Sequence, residues 1–147
     1  MKRITIITAL LFITAGFTGC ITDPNEEIRE KVKNDKDFVT MVEWPVIEKN
    51  LGTIEEGQKM EVIFEYKNTG TKPLVIKNVH ATCGCTVPEI PKEPVMPGKS
   101  GYIKAIFNSD GRAGENHKSI TVYSNSKPGE QKLDFSVNVM AKPQKST

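Results

Sequence analysis

The sequence predicts an all-β fold, an immunoglobulin-like β-sandwich of about seven strands, behind a signal peptide and a short helical or flexible tether. Three observations carry that prediction. From about residue 42 onward, apolar residues recur with a period of two. Turn signals rich in Gly, Pro and Asn punctuate those runs. Between them lies no segment with the apolar stripe of a core helix. Alternation puts apolar side chains on one face of a sheet, and that face needs a second sheet to cover it. Short strands at regular spacing over about one hundred residues are the pattern of a two-sheet sandwich.

Residues 1–19 are a unit of their own. Met1-Lys2-Arg3 gives a positive start, and Ile4 to Phe17 is an apolar run softened by Thr, Ala and Gly. This fits a secretory signal and is short for a membrane-spanning helix, which needs ~20 apolar residues. Thr18-Gly19-Cys20 resembles the bacterial lipobox, with Phe17 where Leu is usual. That resemblance implies cleavage before Cys20 and acylation of Cys20, with palmitate-type chains anchoring the protein to a membrane. An ordinary cleaved signal is the alternative.

Residues 20–41 read as a tether. Asp23-Pro24-Asn25-Glu26 carries a capping residue, a proline for the first turn and an early acid. Ile28 and Val32 are the one apolar pair at helical spacing, so a helix here has little to bury. The cluster Asp23, Glu26 and Glu27 suits a solvated stalk, an export tag to the cell surface being the other reading.

The sandwich is expected over residues 42–143. Residues 42–52, around Trp44 and Leu51, supply an edge strand limited by Pro45. Met60, Val62, Phe64 and Tyr66 share a face, opposite Glu61 and Glu65. Leu74, Ile76 and Val79 follow, then Ile103, Ala105 and Phe107, then Ile120 and Val122. Leu133, Phe135, Val137 and Val139 give the clearest alternation, and Phe64, Phe107, Phe135 and Val137 are expected in the core. Asn68-Thr69-Gly70, Pro97-Gly98, Asn108-Ser109-Asp110-Gly111 and Lys127-Pro128-Gly129 mark the turns.

Charge excludes some partners. The chain has 20 basic and 18 acidic residues, and Lys2 and Arg3 are the only charges before Cys20. The mature chain therefore carries 18 of each sign and no net charge. A neutral protein does not attract nucleic acid, and membrane attachment rests on the acyl chains.

One short motif carries possible chemistry, His80-Ala81-Thr82-Cys83-Gly84-Cys85-Thr86. It is expected at the end of the third strand. Cys83 and Cys85 at i and i+2 point to one side of an extended strand. Three readings stay open. The pair closes into a disulfide, with Gly84 bending the chain. Alternatively the two thiolates bind copper or zinc, with His80 or Met96 as a third ligand. Or they are two small buried residues at a strand end. Nothing else assembles a catalytic set. His117 reads as an exposed residue in a turn-rich region, and Glu89 and Glu93 flank prolines in a loop. No resident cofactor is expected.

Leu51-Gly52-Thr53-Ile54, Phe64-Glu65-Tyr66-Lys67-Asn68-Thr69-Gly70, Pro73-Leu74-Val75-Ile76, Cys83-Gly84-Cys85-Thr86, Pro97-Gly98 and Ser124-Asn125 occur in that order. The series resembles a bacterial family catalogued as a domain of unknown function, related to Hydin-like, abnormal-spindle-type immunoglobulin-like domains. The resemblance covers about residues 42–140. It implies a seven-stranded sandwich on secreted or lipid-anchored bacterial proteins, and no settled activity.

Two functional expectations result. The first is a non-enzymatic, lipid-anchored cell-envelope protein, at the outer membrane or cell surface if the cell is Gram-negative, whose sandwich binds an envelope protein or glycan. The second is an envelope thiol-redox or soft-metal protein that uses Cys83 and Cys85.

Overall fold

The computed structural model describes residues 23–143. The expected signal peptide and the lipidation site Cys20 lie outside the described residues.

Helix α1 spans Pro24–Asn34. The Asp23 carboxylate accepts a hydrogen bond from the Asn25 amide at 2.9 Å and caps the helix, with Pro24 opening the first turn. Glu26 and Glu27 lie at the positive end of the helix dipole, and Lys31 and Lys33 at the negative end. Val32 is its one buried residue. Even so, the helix is held against the sandwich. The Arg29 guanidinium donates to the Lys92 carbonyl at 2.8 Å and the Pro91 carbonyl at 2.9 Å.

Eight strands follow: β1 Val42–Glu43, β2 Glu48–Glu55, β3 Lys59–Asn68, β4 Ile76–Ala81, β5 Thr86–Pro88, β6 Ser100–Asn108, β7 Gly114–Ser124 and β8 Glu130–Met140. They form two four-stranded sheets, ordered β1-β3-β6-β5 and β2-β8-β7-β4. The pairings are antiparallel except β2 with β8, which is parallel. The fold is the expected all-β, immunoglobulin-like sandwich.

The single edge strand expected over residues 42–52 is two strands in different sheets. Val42–Glu43 pairs with β3, whereas Glu48–Glu55 pairs with β8. Pro45 stands between them. It has no amide to donate to a ladder, so pairing stops and the chain crosses to the other sheet. The β2–β8 register then shifts between Asn50 and Thr53, around Gly52 with its φ of +75°.

The core lies between the sheets. Phe64, Leu74, Ile103, Phe107, Ile120 and Leu133 are fully buried, and the rings of Phe107 and Phe135 meet edge to face at 5.8 Å across the sheets. Phe135 and Val137 are buried as expected.

Two buried asparagines tie loops to this core. Asn68 donates to the carbonyls of Lys72 and Val95, both at 2.8 Å, and accepts from the Thr40 hydroxyl and the Gly70 amide. Asn125 donates to Phe38 and Pro73 carbonyls and accepts from the Val75 amide at 2.7 Å. The Thr40 amide donates to the Asn125 carbonyl, and the Thr69 amide to the Met41 carbonyl. The expected tether, residues 20–41, thus contains a segment, residues 38–41, that is hydrogen-bonded into the sandwich.

Candidate functional site

Cys83, Gly84 and Cys85 form the tight connection between β4 in one sheet and β5 in the other. The backbone there is fixed from both sides. The Thr82 amide donates to the Ser119 carbonyl, the Thr86 amide to the Cys83 carbonyl, and the Asn108 amide to the Cys85 carbonyl at 2.9 Å. The Cys83 and Cys85 sulfurs are joined in a disulfide, with the two Cα atoms 5.3 Å apart. The two sulfurs have unequal surroundings. Cys85 is buried and belongs to the core cluster, while Cys83 is half-buried at its margin. The Thr86 hydroxyl lies 3.6 Å from the Cys83 sulfur and 4.0 Å from the Cys85 sulfur, and Thr86 itself is buried. Thr86 closes the motif in the sequence without a stated role; its place beside the sulfurs comes from the strand that turns it inward. A Cβ at Gly84 would meet no atom within 4 Å, so the outer side of the loop is open.

The other sequence candidates lie apart. His80 sits on β4 opposite Thr121, exposed beside the buried Val79, so it faces outward while the cysteines border the core. Met96 is exposed in the loop before β6. Thr86 pairs with Phe107 near the far end of β6, so most of that nine-residue strand separates Met96 from the cysteines. Among the described residues, no three His, Cys, Asp or Glu side chains gather at metal-binding spacing. For the expected soft-metal reading, Cys83 and Cys85 with His80 or Met96 as a third ligand, both sulfurs are engaged in the disulfide, His80 faces outward and Met96 lies beyond most of β6.

The outer face of sheet β2-β8-β7-β4 carries a shallow cleft of about 630 Å³, bordered by His117, Ser119, Lys132 and Asp134. Ser119 donates its hydroxyl to Asp134, and the Lys132 ammonium lies 3.1 Å from the same carboxylate. Partial burial pushes the Asp134 carboxyl upward, but Ser119 and Lys132 together outweigh it and hold the group below its ordinary value. Asp134 is thus a satisfied carboxylate. His117 is exposed within β7, 4.0 Å from Glu115, and touches neither Ser119 nor Asp134 by any hydrogen bond. No histidine stands between Ser119 and Asp134, so the arrangement is not a serine–histidine–carboxylate set.

The opposite outer face, on sheet β1-β3-β6-β5, mixes exposed apolar residues with charged ones. Tyr102 and Ile106 project outward from β6 and are 50% and 42% exposed. Val87, directly across from Ile106 on β5, is 63% exposed. Ile90, in the loop that follows β5, borders a shallow cleft with Tyr102. Lys104 stands between Tyr102 and Ile106 on the outward side of β6, and Glu61 and Glu65 lie beside them on β3.

Comparison with known proteins gives the fold relatives. A protein of unknown function from Porphyromonas gingivalis W83 is 13% identical, with a TM-score of 0.59, over 68% of this chain and 47% of that one. The seventh PapD-like (ASH) domain of human CEP192 is 12% identical with a TM-score of 0.59, over 97% of this chain and all of that domain. The secreted serine protease VesC of Vibrio cholerae is 12% identical with a TM-score of 0.51, over 73% of this chain and 24% of that one. At these identities the likeness is one of fold, and the chain spans about half of the Porphyromonas protein. No curated protein matches the chain. The family model that does match runs over residues 42–139, from the first strand nearly to the end of the last, and by it the chain belongs to the family of proteins of unknown function DUF1573.

Proposed function

We propose that this chain is a lipid-anchored cell-envelope protein whose immunoglobulin-like sandwich is a non-catalytic module that binds another envelope protein. One observation carries the binding reading: Val87, Tyr102 and Ile106 on one sheet face, and Ile90 in the loop after β5, stand exposed on one side of the sandwich with Lys104 among them. Exposed aliphatic and aromatic side chains interspersed with charged ones are a usual makeup of a protein contact. A protein surface suits them better than a glycan, because three of the four side chains are aliphatic. The anchoring reading rests on Thr18-Gly19-Cys20 behind the short apolar run. It places the module at a membrane of the envelope, at the outer membrane or cell surface of a Gram-negative cell.

A photo-crosslinking residue at Ile106, in the chain expressed in its native envelope, tests the binding reading. The expected product is a protein adduct that disappears when Tyr102→Thr is added. A crosslinker at Thr121, on the opposite outer face, should give none. Equal adducts from both faces, an adduct removed by glycan digestion, or no adduct would overturn the assignment. Intact mass of the protein extracted from that membrane tests the anchor. Residues 20–147 plus acyl chains is the expected species; an unmodified Cys20 or an uncleaved chain would overturn it.

A further inference from the structure

We infer that Cys83 and Cys85 form a thiol–disulfide exchange site, in which Cys83 is the sulfur attacked and Cys85 the one released. This stands independently of the binding module. Four observations lead to it. The bond closes a loop of only three residues, sequence separation two, so it removes little freedom from the unfolded chain and has little structural purpose. The backbone of that loop is already held by hydrogen bonds from Thr82, Thr86 and Asn108. Access is one-sided, since Cys83 is half-buried at the edge, Cys85 is buried, and the outer side of Gly84 is clear. And the buried hydroxyl of Thr86 lies near both sulfurs, where it can donate to whichever one carries charge.

The chemistry balances with an external dithiol as the reductant. Its thiolate attacks the Cys83 sulfur, which forms a mixed disulfide. The bond between Cys83 and Cys85 breaks and the electron pair leaves on Cys85. There the Thr86 hydroxyl donates to the new thiolate until it takes up a proton. The second thiol of the reductant then attacks its own sulfur in the mixed disulfide and releases Cys83 as a thiolate. The protein has gained two electrons and two protons, and the dithiol has become a disulfide. In the reverse direction Cys83 is the nucleophile toward a substrate disulfide and Cys85 resolves the intermediate. Thr86 is a positioning residue in both directions.

The test uses the soluble chain from residue 21 in native buffer, with dithiothreitol as the dithiol. The folded protein should gain the mass of two hydrogens at a rate that does not depend on added denaturant. In single-cysteine variants, Cys85→Ser, which keeps Cys83, should react with glutathione disulfide at least tenfold faster than Cys83→Ser, which keeps Cys85. Thr86→Val should slow reduction of the intact pair several-fold, with Thr86→Ser restoring the rate and melting temperatures differing little. Reduction that occurs only in denaturant would overturn the site. So would equal reactivity of the two single-cysteine variants. Should either serine variant misfold, alkylation after partial reduction of the natural chain reads the same asymmetry, with Cys83 the residue trapped as the mixed disulfide; trapping at Cys85 overturns it.

Discussion

The two sheets are built alike inside and differently outside. On the inner faces, β3, β6, β7 and β8 each place buried apolar residues at every second position. Outside, β7 and β8 present Ser119, Thr121, Lys132 and Asp134 with one exposed aromatic, Tyr123, whereas β5 and β6 present Val87, Tyr102 and Ile106 around Lys104. One sheet thus covers its side of the core with an outer face that is mainly polar. The aliphatic residues on the other sheet's outer face are the feature that the proposed contact would use.

The interior is where the comparison breaks most severely. Phe107 is fully buried and meets Phe135 across the core. Phe107→Ala leaves a cavity and should cost about 3–5 kcal/mol. In a domain of this size that is a large part of the total stability, and chemical denaturation should show the midpoint collapse. A Phe107→Ala variant as stable as its parent would mean that the two sheets do not share the core described.

A second probe reads the interior through pH. Tyr66 packs on Trp44 at 5.1 Å between ring centres, and burial pushes its phenol from 10.0 up to about 12. The folded state therefore keeps this proton after the unfolded chain has begun to lose it. The associated stability is complete below pH 10 and is lost as pH rises toward about 12. The shift corresponds to about 2–3 kcal/mol. Tyr66→Phe should unfold less steeply between those two pH values than the natural chain. Parallel curves would place the phenol in solvent.

Most of the interior was legible in the sequence, because burial follows from alternation and alternation is local. Leu133, Phe135, Val137 and Val139 needed no tertiary knowledge. What was not legible depends on contacts between distant residues. Pro45 announced a limit to a strand but not that the chain changes sheets there. The parallel pairing of β2 with β8 joins residues more than eighty positions apart, such as Glu48 and Asp134. Asn68 read as a turn residue and Asn125 only as part of the family resemblance, yet each is buried and ties separate loops together. Arg29 read as one charge on a solvated helix, and its attachment to the Pro91 and Lys92 carbonyls has no local pattern. At the cysteine site the spacing pointed to a pair. The inequality of its two sulfurs, and Thr86 beside them, required the sheet that carries β5.

The smallest expected effect is the sharpest test, because it concerns a neighbour of Phe107 on the same strand. Ile106 is 42% exposed where Phe107 is 0%. It lies across from Glu61 on one side and Val87 on the other. Ile106→Thr keeps the β-branch that suits a strand and removes little buried surface, so stability should change by no more than about 0.5 kcal/mol. If Ile106 belongs to a contact surface, the same substitution should weaken the crosslinked complex while the melting temperature stays where it was. A loss of stability approaching that of Phe107→Ala would instead make Ile106 part of the fold's own packing. The two outer faces would then differ because one sheet needs more apolar support than the other, and the apolar side would lose its claim to a partner.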